Sequence, residues 1–222
     1  MDDEKGVQLV QLARRAVETF LETGNLEKAP AADWLMEKRG VFVSIYTYPD
    51  KELRGCIGYP LPTLPLGEAT VRAAVASAVE DPRFPPLSPD ELPHVVFEVS
   101  VLSKPVEIDV SNRKSLPDLV EVGVDGLIIE TPLGSGLLLP QVPVEYGWNA
   151  EEFLSHLCIK AGLNPTYWLH GKMRLLKFTA DVFAEERPGA RFLLRGLSRE
   201  NVDTLGCLRH RAWACHALLR GC

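Results

Sequence analysis

A strand that carries two glycines and must still bury its apolar neighbours has few ways to fold. Residues 53–58, Leu53-Arg54-Gly55-Cys56-Ile57-Gly58, form such a stretch. Strand side chains alternate between faces, which predicts Arg54 and Cys56 on one face, roughly 7 Å apart, and Leu53 and Ile57 on the other. Leu53 and Ile57 then enter the core, leaving the guanidinium and the thiol to face a cleft. Glycine inside a strand marks a bulge, a bend or a close backbone approach, so Gly55 and Gly58 are places where a ligand or another chain segment can come near. A fixed positive charge beside a thiol favours the thiolate, so this spacing suits a reactive Cys56. It equally suits a small buried cysteine beside an arginine whose stem is covered and whose head reaches water.

The pattern around this strand predicts its surroundings. Residues 41–48 are β-branched and aromatic, and Pro49-Asp50-Lys51-Glu52 is a polar turn, so 41–59 reads as a hairpin. Before it, Leu9, Ala13, Ala16, Val17 and Phe20 recur at helical spacing over 7–22, with Gly24 as the stop. Residues 25–40 read as a loop. After the hairpin, 66–80 is an alanine-rich helix whose small residues allow it to sit close to the glycines. Residues 95–102 alternate as an interior strand, and 105–120 is polar and irregular, the best place for a crossing between subdomains. A second hairpin turns at Thr131-Pro132-Leu133-Gly134, and Pro140-Gln141-Val142-Pro143 ends it. Asn149 and Glu152 form a near capping box for a helix over 150–161, and 173–182 reads as one last strand.

Several side chains join the candidate site on this reading. Glu98 and Ser100 share a face of their strand. If that strand lies near Cys56, Glu98 is an ion-pair partner for Arg54 or a general base. The prolines of Asp81-Pro82-Arg83-Phe84-Pro85-Pro86 hold Arg83 and Phe84 in a stiff loop, suited to a binding surface or to a packed connection. Gln141 offers a lone amide. His156 lies off the apolar face of its helix, and nothing in the sequence brings it to Cys56.

The hexapeptide does not stand alone. It is followed in order by Asp81 to Leu87, Glu98-Val99-Ser100-Val101-Leu102, Gly123-Val124-Asp125-Gly126-Leu127, Leu138-Leu139-Pro140-Gln141-Val142, Trp148 and Lys160-Ala161-Gly162. This series resembles the AMMECR protein family over roughly residues 7–188. The resemblance implies an α+β domain over 1–188 made of two interlocked subdomains. Mixed or antiparallel sheets pack with helices, and the hexapeptide strand lies in a groove between the subdomains. It brings no established reaction or cofactor. Some members are fused to, or encoded near, a Memo-type protein and a radical SAM protein. The resemblance therefore implies such a partner and hints at redox chemistry by association.

Composition closes off other classes. No apolar run approaches the ~20 residues that span a bilayer. The acidic start Met1-Asp2-Asp3-Glu4-Lys5 lacks a signal-peptide pattern, so a cytoplasmic location is expected. Five cysteines make an odd, uneven set unlike a secreted disulfide framework. The chain carries a net charge of −6, but seven arginines against two acids from Arg187 onward leave residues 1–186 at −11. That acidic body is a poor binder of nucleic-acid backbones. Residues 189–222 depart from the family and read as a basic extension, partly helical or disordered. Its Cys207-x-x-His210 and Cys215-His216 fit no standard zinc pattern, so no metal site is expected. Gly134-Ser135-Gly136 lacks the lysine of a P-loop and the third glycine of a dinucleotide fingerprint.

Two functional readings remain. In the first, Cys56 is a nucleophile or redox centre, Arg54 lowers its pKa and binds an anionic substrate, and Glu98 or Gln141 orients the pair. In the second, the chain is a non-catalytic binding or adaptor module. Its strand 53–58 and Arg54 then hold a partner protein or a small anionic ligand.

Overall fold

The computed structural model describes residues 1–189, together with the backbone of Phe192–Gly196 and His216–Ala217. It divides the described chain into two compact units, Met1–Leu102 with Asp181–Gly196, and Ser103–Ala180. The fold class is α+β, with two largely antiparallel sheets and several helices.

The first unit is built on a six-stranded sheet. Its strands are β1 (Val41–Thr47), β2 (Leu53–Tyr59), β3 (Val95–Leu102), β8 (Ala180–Glu185), β9 (Phe192–Gly196) and β10 (His216–Ala217), in the order β10-β2-β1-β3-β8-β9. Strand β10 runs parallel to β2, with His216 level with Ile57. Helices α1 (Asp3–Thr23) and α3 (Leu66–Val79) cover one face of the sheet. Val41, Val43 and Ile45 of β1 and Val95, Phe97, Val99 and Val101 of β3 point to them, as the period of two requires. Asp2 accepts from the Lys5 N–H to start α1, and Gly24 ends it in a left-handed conformation, φ 73°. Within 25–40 a single helical turn, α2 (Asp33–Met36), buries Leu35.

The second unit carries a four-stranded sheet in the order β4-β7-β5-β6: β4 (Val106–Ile108), β5 (Gly126–Thr131), β6 (Gly134–Leu138) and β7 (Arg174–Phe178). Helix α5 (Ala150–Lys160) packs on it through Phe153, Leu154, Leu157 and Cys158, capped by Asn149 and Glu152 in a reciprocal box.

Two expectations fail for local reasons. The single strand expected over 173–182 is broken at Thr179, so that β7 and β8 belong to different sheets. Thr179 N–H donates to Ser103 Oγ (2.9 Å), and Ser103 N–H donates to Thr179 C=O (2.8 Å). The outgoing and returning segments are thus tied at a point that carries no glycine or proline. The crossing itself falls at Leu102–Ser103, just before 105–120. Second, 141–146 is a short helix, α4 (Gln141–Tyr146), not a mere strand end. Pro143 sits in its first turn, where the missing N–H costs no hydrogen bond. Of the expected extension 189–222, Phe192–Gly196 and His216–Ala217 form strands; Cys207, His210 and Cys215 lie outside the described residues. Among the described residues no helix is long and apolar enough to cross a membrane.

Candidate functional site

The two glycines of β2 serve packing inside the chain. A Cβ on Gly55 would overlap the carbonyl oxygen of Ser77 on α3, so glycine is what lets this helix touch the strand. Ser77 Oγ accepts from Ile57 N–H at 2.8 Å and lies 2.7 Å from both the Val43 and Ala73 carbonyls. With one proton, the hydroxyl donates to one of these at a time. A Cβ on Gly58 would run into the Phe42 ring. The neighbours that need the glycines are this chain's own residues.

On the face away from the helices, register builds a polar row. Cys56 is opposite Ser44, and Ser44 is opposite Glu98; one step along, Gly58, Phe42 and Ser100 form the next row. Glu98 and Ser100 therefore do share the face of Cys56. However, β1 lies between, which puts Glu98 about 10 Å away at two strand spacings. Ser44, which nothing in the sequence singled out, fills the gap, and its hydroxyl donates to Cys56 Sγ at 3.2 Å. Only pairing register could have revealed it.

Of the two settings the sequence allows for Cys56, an open thiolate and a small buried cysteine, the structure presents the buried one. Cys56 is 0% exposed and its sulfur is engaged in a disulfide. Its main chain is clamped as well. Cys56 N–H donates to Asp81 Oδ2 (2.9 Å), and Arg83 Nη2 donates to the Cys56 carbonyl (3.2 Å). Arg83 Nε and Nη2 also grip Asp81 at 2.9 and 2.6 Å. Burial pushes the Asp81 carboxyl up, but the hydrogen bonds from the Arg83 side chain, from Cys56 N–H and from Arg83 N–H outweigh it and hold the pKa below the ordinary range. The stiff loop thus turns Arg83 inward as a clip on β2, with its guanidinium 5.4 Å over the Phe84 ring. Phe84 is left half-buried beside that clip.

Arg54 also departs from simple alternation. Ile45 pairs with Gly55 and Tyr46 with Leu53, so Arg54 is the extra residue of a β-bulge. The bulge resets the faces. Leu53 joins the row of Tyr46, on the side of Cys56, instead of the side of Ile57. Arg54 pairs with Glu91, not Glu98. Nε donates to Oε1 at 2.8 Å and Nη2 to Oε2 at 3.2 Å. Glu91 belongs to the 3-10 helix Pro89–His94, where it also accepts from Ser88 N–H at 2.9 Å. The Arg54 hydrogen bond is the main reason its pKa lies below the carboxylate norm, with the Ser88 contacts adding and burial opposing. The remaining nitrogen, Arg54 Nη1, is buried and has no hydrogen-bond acceptor among the described residues.

The AMMECR1 family profile matches residues 10–183. The chain belongs to the AMMECR1 family. A protein of Thermofilum pendens is 52% identical over 195 residues, covering 83% of this chain and 92% of its own. Protein MK0488 of Methanopyrus kandleri is 49% identical, covering 89% and 96%. The crystal structure of protein PH0010 from Pyrococcus horikoshii superposes with a TM-score of 0.83 at 49% identity, over 88% of this chain and 98% of that one. These names state no activity, ligand or partner, so the AMMECR1 likeness shows family and fold.

In the second unit of this AMMECR1-family chain, Gln141 is the first residue of α4, and its Oε1 is buried without a donor among the described residues. Cys158, buried on α5, is a free thiol whose pKa burial pushes up. His156 is stacked on Trp148 at 3.7 Å between ring centroids.

Proposed function

We propose that this AMMECR1-family chain is a binding module for a small anionic ligand, with Arg54 as the group that reads it. One observation carries the reading: Arg54 is fixed by Glu91 through Nε and Nη2, and its Nη1 is buried without an acceptor among the described residues. A buried donor left unpaired costs about 1–3 kcal/mol, which an incoming oxygen recovers. Charge-assisted bonds from a guanidinium to a carboxylate or phosphate are roughly twice as strong as neutral ones. Glu91 pre-orders the side chain, so little rotamer entropy is lost on binding. Thiol chemistry at Cys56 has weaker support, because its sulfur is sealed and bonded.

The test is thermal unfolding with inorganic phosphate and with acetate at constant ionic strength. Wild type and Cys56→Ser should show a saturable rise in Tm, reaching about 2.7 kcal/mol of stabilisation at a hundredfold excess over Kd. Arg54→Ala should show none, and Arg54→Lys a reduced rise. A rise that survives Arg54→Ala, or that disappears only in Cys56→Ser, removes the proposal.

A further inference from the structure

Two of the five cysteines fall among the described residues. Cys158, in the second unit, is a free thiol. Cys56 is the other, and its sulfur is in a disulfide. Its partner is therefore Cys207, Cys215 or Cys222, all outside the described residues.

Strand register chooses among the three. Strand β10 runs parallel to β2, with His216 level with Ile57 and Ala217 level with Gly58. Cys215 directly precedes His216, as Cys56 directly precedes Ile57. One step back along both strands therefore pairs 215 with 56. Level residues of parallel neighbours share a face, and neighbouring strands lie about 4.8 Å apart. A disulfide needs its two Cα atoms roughly 4.4–6.8 Å apart and its side chains on one side, which this register provides. Cys207 stands nine residues before His216 and Cys222 six after it, so neither shares this register.

We infer that Cys56 is cross-linked to Cys215, and that the thiol–disulfide state of this pair sets whether β10 stays on β2. Strand β10 is two residues long. So short a ladder makes too few hydrogen bonds to offset the ordering of its segment. A cross-link between 56 and 215 closes a long loop and restricts the unfolded chain, which supplies what the ladder lacks. Without β10, the order of the sheet makes β2 an edge strand. In oxidation the two thiols give two protons and two electrons to a small-molecule disulfide, which leaves as two thiols. A dithiol reverses the exchange and ends as its own cyclic disulfide. The inference stands independently of the anion site, since Glu91 alone holds Arg54 Nε and Nη2.

The experiment maps the disulfide in the full chain after equilibration with oxidised glutathione. Free thiols are blocked with N-ethylmaleimide in denaturant, and the unreduced tryptic peptides are weighed. Trypsin places each cysteine in its own peptide: 55–72, 115–160, 200–209, 212–220 and 221–222. The expected result is 55–72 joined to 212–220, with 115–160 carrying maleimide. A 55–72 peptide joined to 200–209 or 221–222, or carrying glutathione or maleimide, would overturn the inference. Thermal unfolding gives the second readout. Dithiothreitol should lower the Tm of the oxidised wild type and of Cys207→Ser by at least about 5 °C, and leave Cys215→Ser unmoved. A drop that persists in Cys215→Ser, or that is lost in Cys207→Ser, would equally overturn it.

Discussion

Arg14 and Arg54 make the same ion pair in two different ways. Each grips a glutamate through Nε and Nη2, and each side chain is 11% exposed. Arg14 holds Glu185 at 2.6 and 2.5 Å, and its other donors reach the carbonyls of Val95 (2.8 Å) and Leu92 (3.3 Å). Its guanidinium lies 4.8 Å over the Phe97 ring. Glu185, fully buried, also accepts from Phe97 N–H. That network joins α1, β3 and β8 and is complete. Arg54 is held by a glutamate that is 39% exposed, and it retains a buried nitrogen with no acceptor among the described residues. Burial and ion pairing therefore do not tell these two arginines apart; the unused donor does.

The comparison breaks most readily at Arg14. Arg14→Ala strands a fully buried carboxylate and should cost about 3–5 kcal/mol in urea unfolding. A cost below 1 kcal/mol would mean the network is not structural. Gly55→Ala should come next, at about 1–3 kcal/mol, because the new methyl meets the Ser77 main chain instead of a flexible side chain. Gly147→Ala, strained at its positive φ but with open space around it, should cost about 1 kcal/mol. Arg54→Ala should cost no more than about 1 kcal/mol, since Glu91 can rehydrate.

The smallest effect is on pH dependence. Asp81 and Glu91 both have folded pKa values below their ordinary 3.8 and 4.5. A depressed folded pKa contributes stability that is present above the ordinary value and is lost as pH falls through the folded one. Stability should therefore decline as pH drops below about 4, and Asp81→Asn should flatten that decline. An unchanged slope in Asp81→Asn would mean the Arg83 clip contributes nothing to acid sensitivity.

Much of this architecture was legible in the residues. The period-two pattern placed β2 and β3, the alanine-rich stripe placed α3, and Asn149 with Glu152 placed the start of α5. What stayed hidden depends on pairing between distant segments. The bulge at Arg54 has no local marker beyond the adjacent Gly55, yet it shifts Leu53 to the other face and turns the guanidinium to Glu91. Ser44 reaches Cys56 only through hairpin register. For the loop of Asp81 and Arg83 a binding surface and a packed connection both stayed open, because proline stiffness does not tell which way a side chain points. The break at Thr179 is made by Ser103, 76 residues away.

The most direct measurement is guanidinium 15N NMR of the arginine-labelled chain at low temperature during addition of inorganic phosphate. The Arg54 Nη1 protons should shift and exchange more slowly with water as phosphate saturates, while the Arg14 signals stay where they are. Arg54 signals that do not move, or that move only in step with Arg14, would contradict the claim that the unused donor is a binding group.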